Sequence, residues 1–285
     1  MPISPAILLA WGCAGSAGPE AWESPEGTDW AQVAASAHNA TCGLRGDGAA
    51  ECWGYDADQG MTPPDVPLVR MDVGYSVCGV TKDAALVCGG GWGTAAGVTV
   101  NLSALADGAP YADVAVGGTF YCGLSEAGAL RCISTGQTAV VVPTGEVYTG
   151  ISAGLSTLCG LHDDGSATCW DTDGVRADHP GPFTRVEAGD EGACGLTEGG
   201  GIACWGATFV DADPGPFVAL SIGGDAACAL DGGGAMACWV RGGGVYGVNP
   251  PEDGPFTGVA AGTTQVCGLG ADGAISCAET QSGRK

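Results

Sequence analysis

An apolar residue stands two places after a cysteine at Leu44, Val80, Leu124, Leu161, Leu196, Leu230 and Leu269. Six places further on stands a second apolar residue: Ala50, Leu86, Leu130, Ala167, Ile202, Met236 and Ile275. Each of these is followed, two places later, by another cysteine. The cysteines therefore form seven pairs with nine residues between partners. They are Cys42 with Cys52, Cys78 with Cys88, Cys122 with Cys132, Cys159 with Cys169, Cys194 with Cys204, Cys228 with Cys238 and Cys267 with Cys277. This period-two pattern predicts a β-hairpin with one buried face. With Cys42 opposite Cys52, Gly46, Asp47 and Gly48 form a three-residue loop. Such loops want positive φ at their last residue, which glycine takes without a Cβ penalty. Glycine stands there in six repeats, and Ala84 in the remaining one is expected to give a strained or different turn. If Arg45 and Ala49 close the loop, Cys42 and Cys52 fall on a non-hydrogen-bonded site, where Cα atoms approach closely enough for a disulfide.

A short apolar strand precedes each hairpin, as in Phe183-Thr-Arg-Val-Glu-Ala, Phe217-Val-Ala-Leu-Ser-Ile and Phe256-Thr-Gly-Val-Ala-Ala. In five repeats a glycine lies five residues before the first cysteine; the second repeat has Gly74 one place later, and the first has Ala37 there. Trp53, Trp170, Trp205 and Trp239 follow second cysteines and are expected to pack between units, with ligand stacking as the alternative. Units repeat every 34 to 44 residues. That period signals a repeat architecture, and three- or four-stranded units fit a closed all-β ring of seven blades better than an open solenoid.

Composition sharpens this picture. Fifty-three glycines suit a turn-rich β protein, and a net charge of −23 argues against a nucleic-acid partner. Paired cysteines imply an oxidising compartment, and their spacing does not suit zinc. No metal or cofactor is expected. Asp171-Thr-Asp-Gly echoes only part of a calcium loop. Arg45-Gly-Asp reads as turn chemistry, because other tips carry Asp-Gly without the arginine. Phosphate-loop and nucleophile-elbow motifs are missing from the chain, so no catalytic residue is assigned.

The copies Val259-Ala-Ala-Gly-Thr-Thr-Gln-Val-Cys-Gly-Leu-Gly-Ala-Asp-Gly and Ala35-Ser-Ala-His-Asn-Ala-Thr-Cys-Gly-Leu-Arg-Gly-Asp-Gly-Ala-Ala-Glu-Cys-Trp-Gly resemble the regulator of chromosome condensation (RCC1-like) repeat. The resemblance covers about residues 30–277 and implies a seven-bladed β-propeller, in a cysteine-paired form like that of exported bacterial proteins. The family's Gly-Gln-Leu-Gly survives only as Asp58-Gln-Gly, and its histidine has no counterpart among His38, His162 and His179. No residue here carries over the nuclear member's GTPase-activating or chromatin-binding roles.

The fifteenth cysteine, Cys13, follows Ala6-Ile-Leu-Leu-Ala-Trp-Gly. That run resembles a bacterial lipoprotein signal and implies acylation at Cys13. Residues 1–13 are thus expected to be a signal, 14–29 an acidic tether, and 30–285 the propeller. The segment 21–28 is expected to add a closing strand to the last blade. These readings predict an exported, monomeric lipoprotein of the outer membrane or cell surface, or else a secreted or periplasmic protein, touching membrane only through its anchor. The expected function is a non-catalytic scaffold binding a protein or glycan. The alternative is an inhibitor or regulator of an extracellular or periplasmic enzyme, acting through the loop face. Connections after the first three repeats are the longest, and Tyr55, Met61, Trp92 and Tyr111 within or beside them are expected to be partner-binding anchors.

Overall fold

The computed structural model describes residues 25–36, 39–54, 61–91, 105, 109–118, 120–134, 145–206, 215–224, 226–240 and 249–280. It contains seven antiparallel sheets in a ring. Blade one holds β1 (Trp30–Ala35), β2 (Thr41–Arg45) and β3 (Ala50–Trp53); blade two β4 (Leu68–Val73), β5 (Ser76–Thr81) and β6 (Leu86–Gly91). Blade three holds β7 (Tyr111–Val116), β8 (Phe120–Ser125) and β9 (Leu130–Ser134). Blade four has a fourth strand: β10 (Gly150–Ala153), β11 (Thr157–Leu161), β12 (Ala167–Asp171) and β13 (Arg176–His179). Blade five holds β14 (Phe183–Ala188), β15 (Gly192–Thr197) and β16 (Ile202–Gly206); blade six β17 (Phe217–Ile222), β18 (Ala226–Asp231) and β19 (Met236–Val240); blade seven β20 (Phe256–Ala261), β21 (Gln265–Gly270) and β22 (Ile275–Glu279). No helix occurs among the described residues, so none is long and apolar enough to cross a membrane.

In every blade the two cysteines sit opposite each other on the second and third strands. Each pair is joined by a disulfide: Cys42 to Cys52, Cys78 to Cys88, Cys122 to Cys132, Cys159 to Cys169, Cys194 to Cys204, Cys228 to Cys238 and Cys267 to Cys277. Their Cα atoms are 4.0 to 4.1 Å apart, as a non-hydrogen-bonded pair requires. The two ends of each bridge are not equally covered. The first cysteines are all buried; of the second ones, Cys88, Cys132 and Cys169 are buried, while Cys52, Cys204, Cys238 and Cys277 are only partly so. The third strand lies nearer the rim of the ring, so the expected buried face thins there. The apolar pair two residues nearer the tip shares the face of the cysteines. That face packs on the first strand of the next blade; Cys78 and Val80, for example, cluster with Val114 and Val116. The tryptophans pack between blades. Trp170 lies against blade three, Trp205 against blade four, Trp239 against blade five, and Trp53 against blade seven.

One backbone hydrogen bond recurs at every junction. The last residue of each hairpin tip has positive φ, from 58° at Ala84 to 91° at Gly48. Its carbonyl accepts from the amide of the residue that opens, or shortly precedes, the next blade's first strand. The pairs are Leu68 to Gly48, Tyr111 to Ala84, Tyr148 to Gly128, Phe183 to Gly165, Phe217 to Gly200 and Phe256 to Gly234. The seventh closes the ring: Trp30 donates to Gly273 across 3.1 Å. Ala84 thus adopts the same left-handed turn as the glycines. Around this seam Trp30 and Val33 pack on Ala260, Leu269 and Ile275, and Gln265 Nε2 donates to Thr41 Oγ1.

The expected closing strand is not found in the described part of 21–28. Residues 25–28 form no strand, and blade seven keeps three strands in the order β20-β21-β22; residues 21–24 lie outside the described ones. Pro25 and Gly27 suit a ladder poorly, and the tip-to-strand bond already joins the ends.

Candidate functional site: the central channel and the tip face

The first strands line a central channel. Near the glycines that follow these strands the channel encloses a cavity of about 120 Å³, bordered by all seven blades. At the other end, where the strands begin, it widens to a cavity of about 430 Å³ bordered by Ala31, Val69, Arg70, Arg185, Ala219 and Thr257, among others. The hairpin tips bond to the starts of first strands, so tips and wide mouth share one face of the ring.

Two registers of each first strand put side chains beside the channel. Residues opposite the first cysteine include Asp72, Ser152, Glu187 and Ser221. Two residues earlier come Gln32, Arg70, Asp113 and Arg185. Several of these clasp the next blade's backbone. Asp72 Oδ2 accepts from the Val116 amide at 2.7 Å, Ser152 Oγ from Ala188 at 2.9 Å, and Ser221 Oγ from Ala261 at 3.0 Å. Gln32 makes a two-way clasp with the amide and carbonyl of Met71. A hydrogen bond of this kind contributes roughly 0.5–1.5 kcal/mol net, and more when an ionised group accepts it.

The charges are paired. Arg70 Nε lies 2.7 Å from Asp113 Oδ1, and Arg185 pairs with Glu187, whose other oxygen accepts from Ser152 Oγ. Desolvation beside the channel pushes Asp72 up to about 7, against the two backbone amides that favour its charge; Glu187 and Asp113 add to the rise. Burial also raises Asp113, with Arg70 opposing it. Glu187 holds the Arg185 guanidinium above its usual value.

Close approach of blades explains the glycine before each first cysteine. A Cβ on Gly154 would lie 1.9 Å from the Gly189 carbonyl oxygen, and one on Gly117 2.1 Å from that of Gly154. In blade one Ser36 holds this position, not Ala37. Its amide reaches Ala40, four residues on, where Gly74 reaches two and the other five glycines three. Turn length differs, so counting back from the cysteine misplaces it.

Met61 and Tyr111 are not exposed anchors. Met61 is 2% exposed and packs with Leu44, Leu68 and Met71. Tyr111 is 4% exposed, its ring covers Gly123, and its hydroxyl donates to the Leu105 carbonyl. Gly43 lies likewise under Trp30, Gly195 under Phe183 and Gly268 under Phe256, so Tyr111 fills a repeated core position. Tyr55, Trp92 and Cys13 lie outside the described residues. Asp171 Oδ1 accepts from the amides of Asp173 and Val175, which is turn geometry. In the Arg45-Gly-Asp tip, Arg45 stacks 3.9 Å over Trp30 and pairs with Glu51 and Asp29, while Asp47 caps the turn at Ala49.

A closed ring of seven antiparallel sheets, each stapled by one disulfide, defines a seven-bladed β-propeller. The ectodomain of the Physcomitrella patens receptor kinase CR4 is similar: TM-score 0.69 and 24% identity, covering 87% of this chain and 72% of that one. The CRINKLY WD40 ectodomain of Arabidopsis thaliana receptor kinase ACR4 gives 0.68 and 22%, covering 88% and 97%. Prp20p of Saccharomyces cerevisiae, the yeast RCC1, gives 0.53 and 13%, covering 87% and 71%. No protein-family model and no curated protein sequence matches the chain.

Proposed function

We propose that this chain is an exported propeller scaffold that binds a protein partner outside the cytoplasm and performs no catalysis. The observation that carries the reading is the bonding of the ring. Seven disulfides staple each blade internally, and the seven tip-to-strand bonds and the channel clasps hold blade to blade, which leaves the wide mouth as the surface open to a partner. Disulfides at this density belong to an oxidising compartment, and the receptor-kinase propellers similar to it are ectodomains. Prp20p has been described binding Gsp1p and histones, and in a complex with Kap60, so a propeller of this shape serves protein recognition elsewhere. Fold alone does not transfer a partner.

Acylation of Cys13, in a bacterial host, would tether the propeller to an envelope membrane. The test is expression in such a host with a fatty-acid probe, surface biotinylation and cross-linking. Labelling lost in Cys13→Ala supports the anchor. Recovery of the chain from the cytoplasm with reduced cysteines would overturn export. Failure to cross-link any protein on the intact envelope would overturn the scaffold reading.

A further inference from the structure

Six of the seven first strands carry a register shift after their first residue. A bulge of this kind re-aims the extra side chain. The residues so placed are Ala31, Val69, Ala112, Thr184, Val218 and Thr257; Ala31, Val69 and Thr257 border the wide mouth of the channel, and Val218 stands next to Ala219, which also borders it. Val69 is 62% exposed and Val218 63%. Val66, close to Val69, and Val147, against the Gly128 tip, are also open to solvent. Among the described residues five large hydrophobic side chains are exposed, and four of them are these. The fifth, Val175, precedes β13 at the opposite end of the ring.

The same face is ringed by carboxylates. All seven tips carry at least one: Asp47, Asp83, Glu126, Asp163, Asp164, Glu198, Asp231 and Asp272. Turn chemistry accounts for half of them. Asp47, Asp164, Asp231 and Asp272 accept backbone amides within their own loops. Asp83, Glu126, Asp163 and Glu198 make no such bond, are exposed, and stand on the consecutive blades two to five. Against them the tips offer Lys82 and an Arg45 already engaged by Glu51 and Asp29. Inside the mouth Arg70 and Arg185 are ion-paired with the more covered Asp113 and Glu187, so the cationic flanks of an occupant are directed away from the floor and out to the tip carboxylates.

An apolar rim around a cavity of about 430 Å³, set within uncommitted carboxylates, selects its occupant by charge. We infer that the tip face docks a cationic protein segment, with an aliphatic side chain entering the mouth between Val69 and Ala219, beside the exposed Val218, and flanking lysines or arginines meeting the acids of blades two to five. The inference rests on the scaffold reading above and names its face and partner chemistry.

The probe is a capped, fluorescent seven-residue peptide with two lysines at each end and a glycine-flanked leucine at its centre, followed by polarisation against the full chain. Saturable binding is expected at low salt, weakening about tenfold or more near 0.3 M salt as the charges are screened. Val69→Ser with Val218→Ser should weaken it several-fold, and Asp83→Asn, Glu126→Gln, Asp163→Asn and Glu198→Gln together should abolish it. The counterpart with glutamates for lysines should not bind. Asp173→Asn with Glu191→Gln, away from the tips, should change nothing. All of these positions are exposed, and melting temperatures check that each variant is folded. Equal binding by the fourfold tip variant, or no binding by wild type, overturns the inference. If a protein is nonetheless cross-linked on the envelope, the scaffold reading survives and only the tip face is wrong.

Discussion

The amide of Trp30 donates to the carbonyl of Gly273, and the two residues belong to the first and the seventh blade in chain order. The bond is the same one that Phe183 makes to Gly165 and Phe217 to Gly200. It depends on positive φ at the accepting residue, because that conformation turns the tip carbonyl toward the next blade.

Ala84 is the one non-glycine residue with positive φ among those described, at 58°. The left-handed region costs an L-residue about 1–2 kcal/mol, part of which glycine returns through its looser unfolded chain. Ala84→Gly should therefore stabilise the protein by up to about 1 kcal/mol, seen as a higher thermal midpoint. A lowered midpoint would mean that the turn is not strained.

Gly154→Ala should destabilise strongly, by about 2 kcal/mol or more, because its Cβ would collide with the Gly189 backbone and neither blade can retreat. Gly199→Ala is the control: nothing lies within 4 Å of the added carbon. Denaturant unfolding of both variants should separate them clearly. Similar midpoints would show that the blades are less tightly packed there than described.

Asp72 should make stability fall as pH rises. Between about pH 4, where an unfolded aspartate ionises, and about 7, the folded chain keeps a proton on Asp72 that the unfolded chain has released. Unfolding is favoured over that window. Asp72→Asn retains an oxygen for the Val116 amide and has no proton to lose. Its stability should gain on that of wild type increasingly from pH 4 to 7, by a few kcal/mol at most (on the order of 1.4 kcal/mol for each pH unit crossed), read as a widening gap between the two thermal midpoints. Parallel profiles for the two proteins would refute the assignment.

Replacing both Cys194 and Cys204 by alanine should cost about 2–3 kcal/mol, the scale for a short closed loop. The hairpin register should persist, since Leu196 and Ile202 still pair beside the vacated site. Non-reducing peptide mapping should then find the other six bridges unchanged. Bridges between different blades would contradict the register.

Hairpins were readable from sequence because their chemistry is local. Cysteine, apolar pair and tip glycine keep constant spacing, so Cys42 could be set against Cys52 without any knowledge of neighbouring blades. Tyr111 was misjudged because loop length was counted and not position. A large apolar residue stands eleven to thirteen places before the small residue it covers in every repeat, from Trp30 over Gly43 to Phe256 over Gly268. That spacing was visible and would have placed Tyr111 in the core. Asp72, Asp113, Arg185 and Glu187 gave no comparable sign. They are ordinary polar residues of separate repeats, and only closure of the ring brings them to one channel.

Because all seven junctions carry the same amide-to-carbonyl link, the covalent order of the blades and their bonding order are separable. The seam between blades seven and one lacks a connecting segment, yet it is held as the other six are. A circularly permuted chain, beginning with blade five and carrying a linker from blade seven to blade one, would meet the same seven links and the same seven staples. The architecture has a direction around its axis and no first blade.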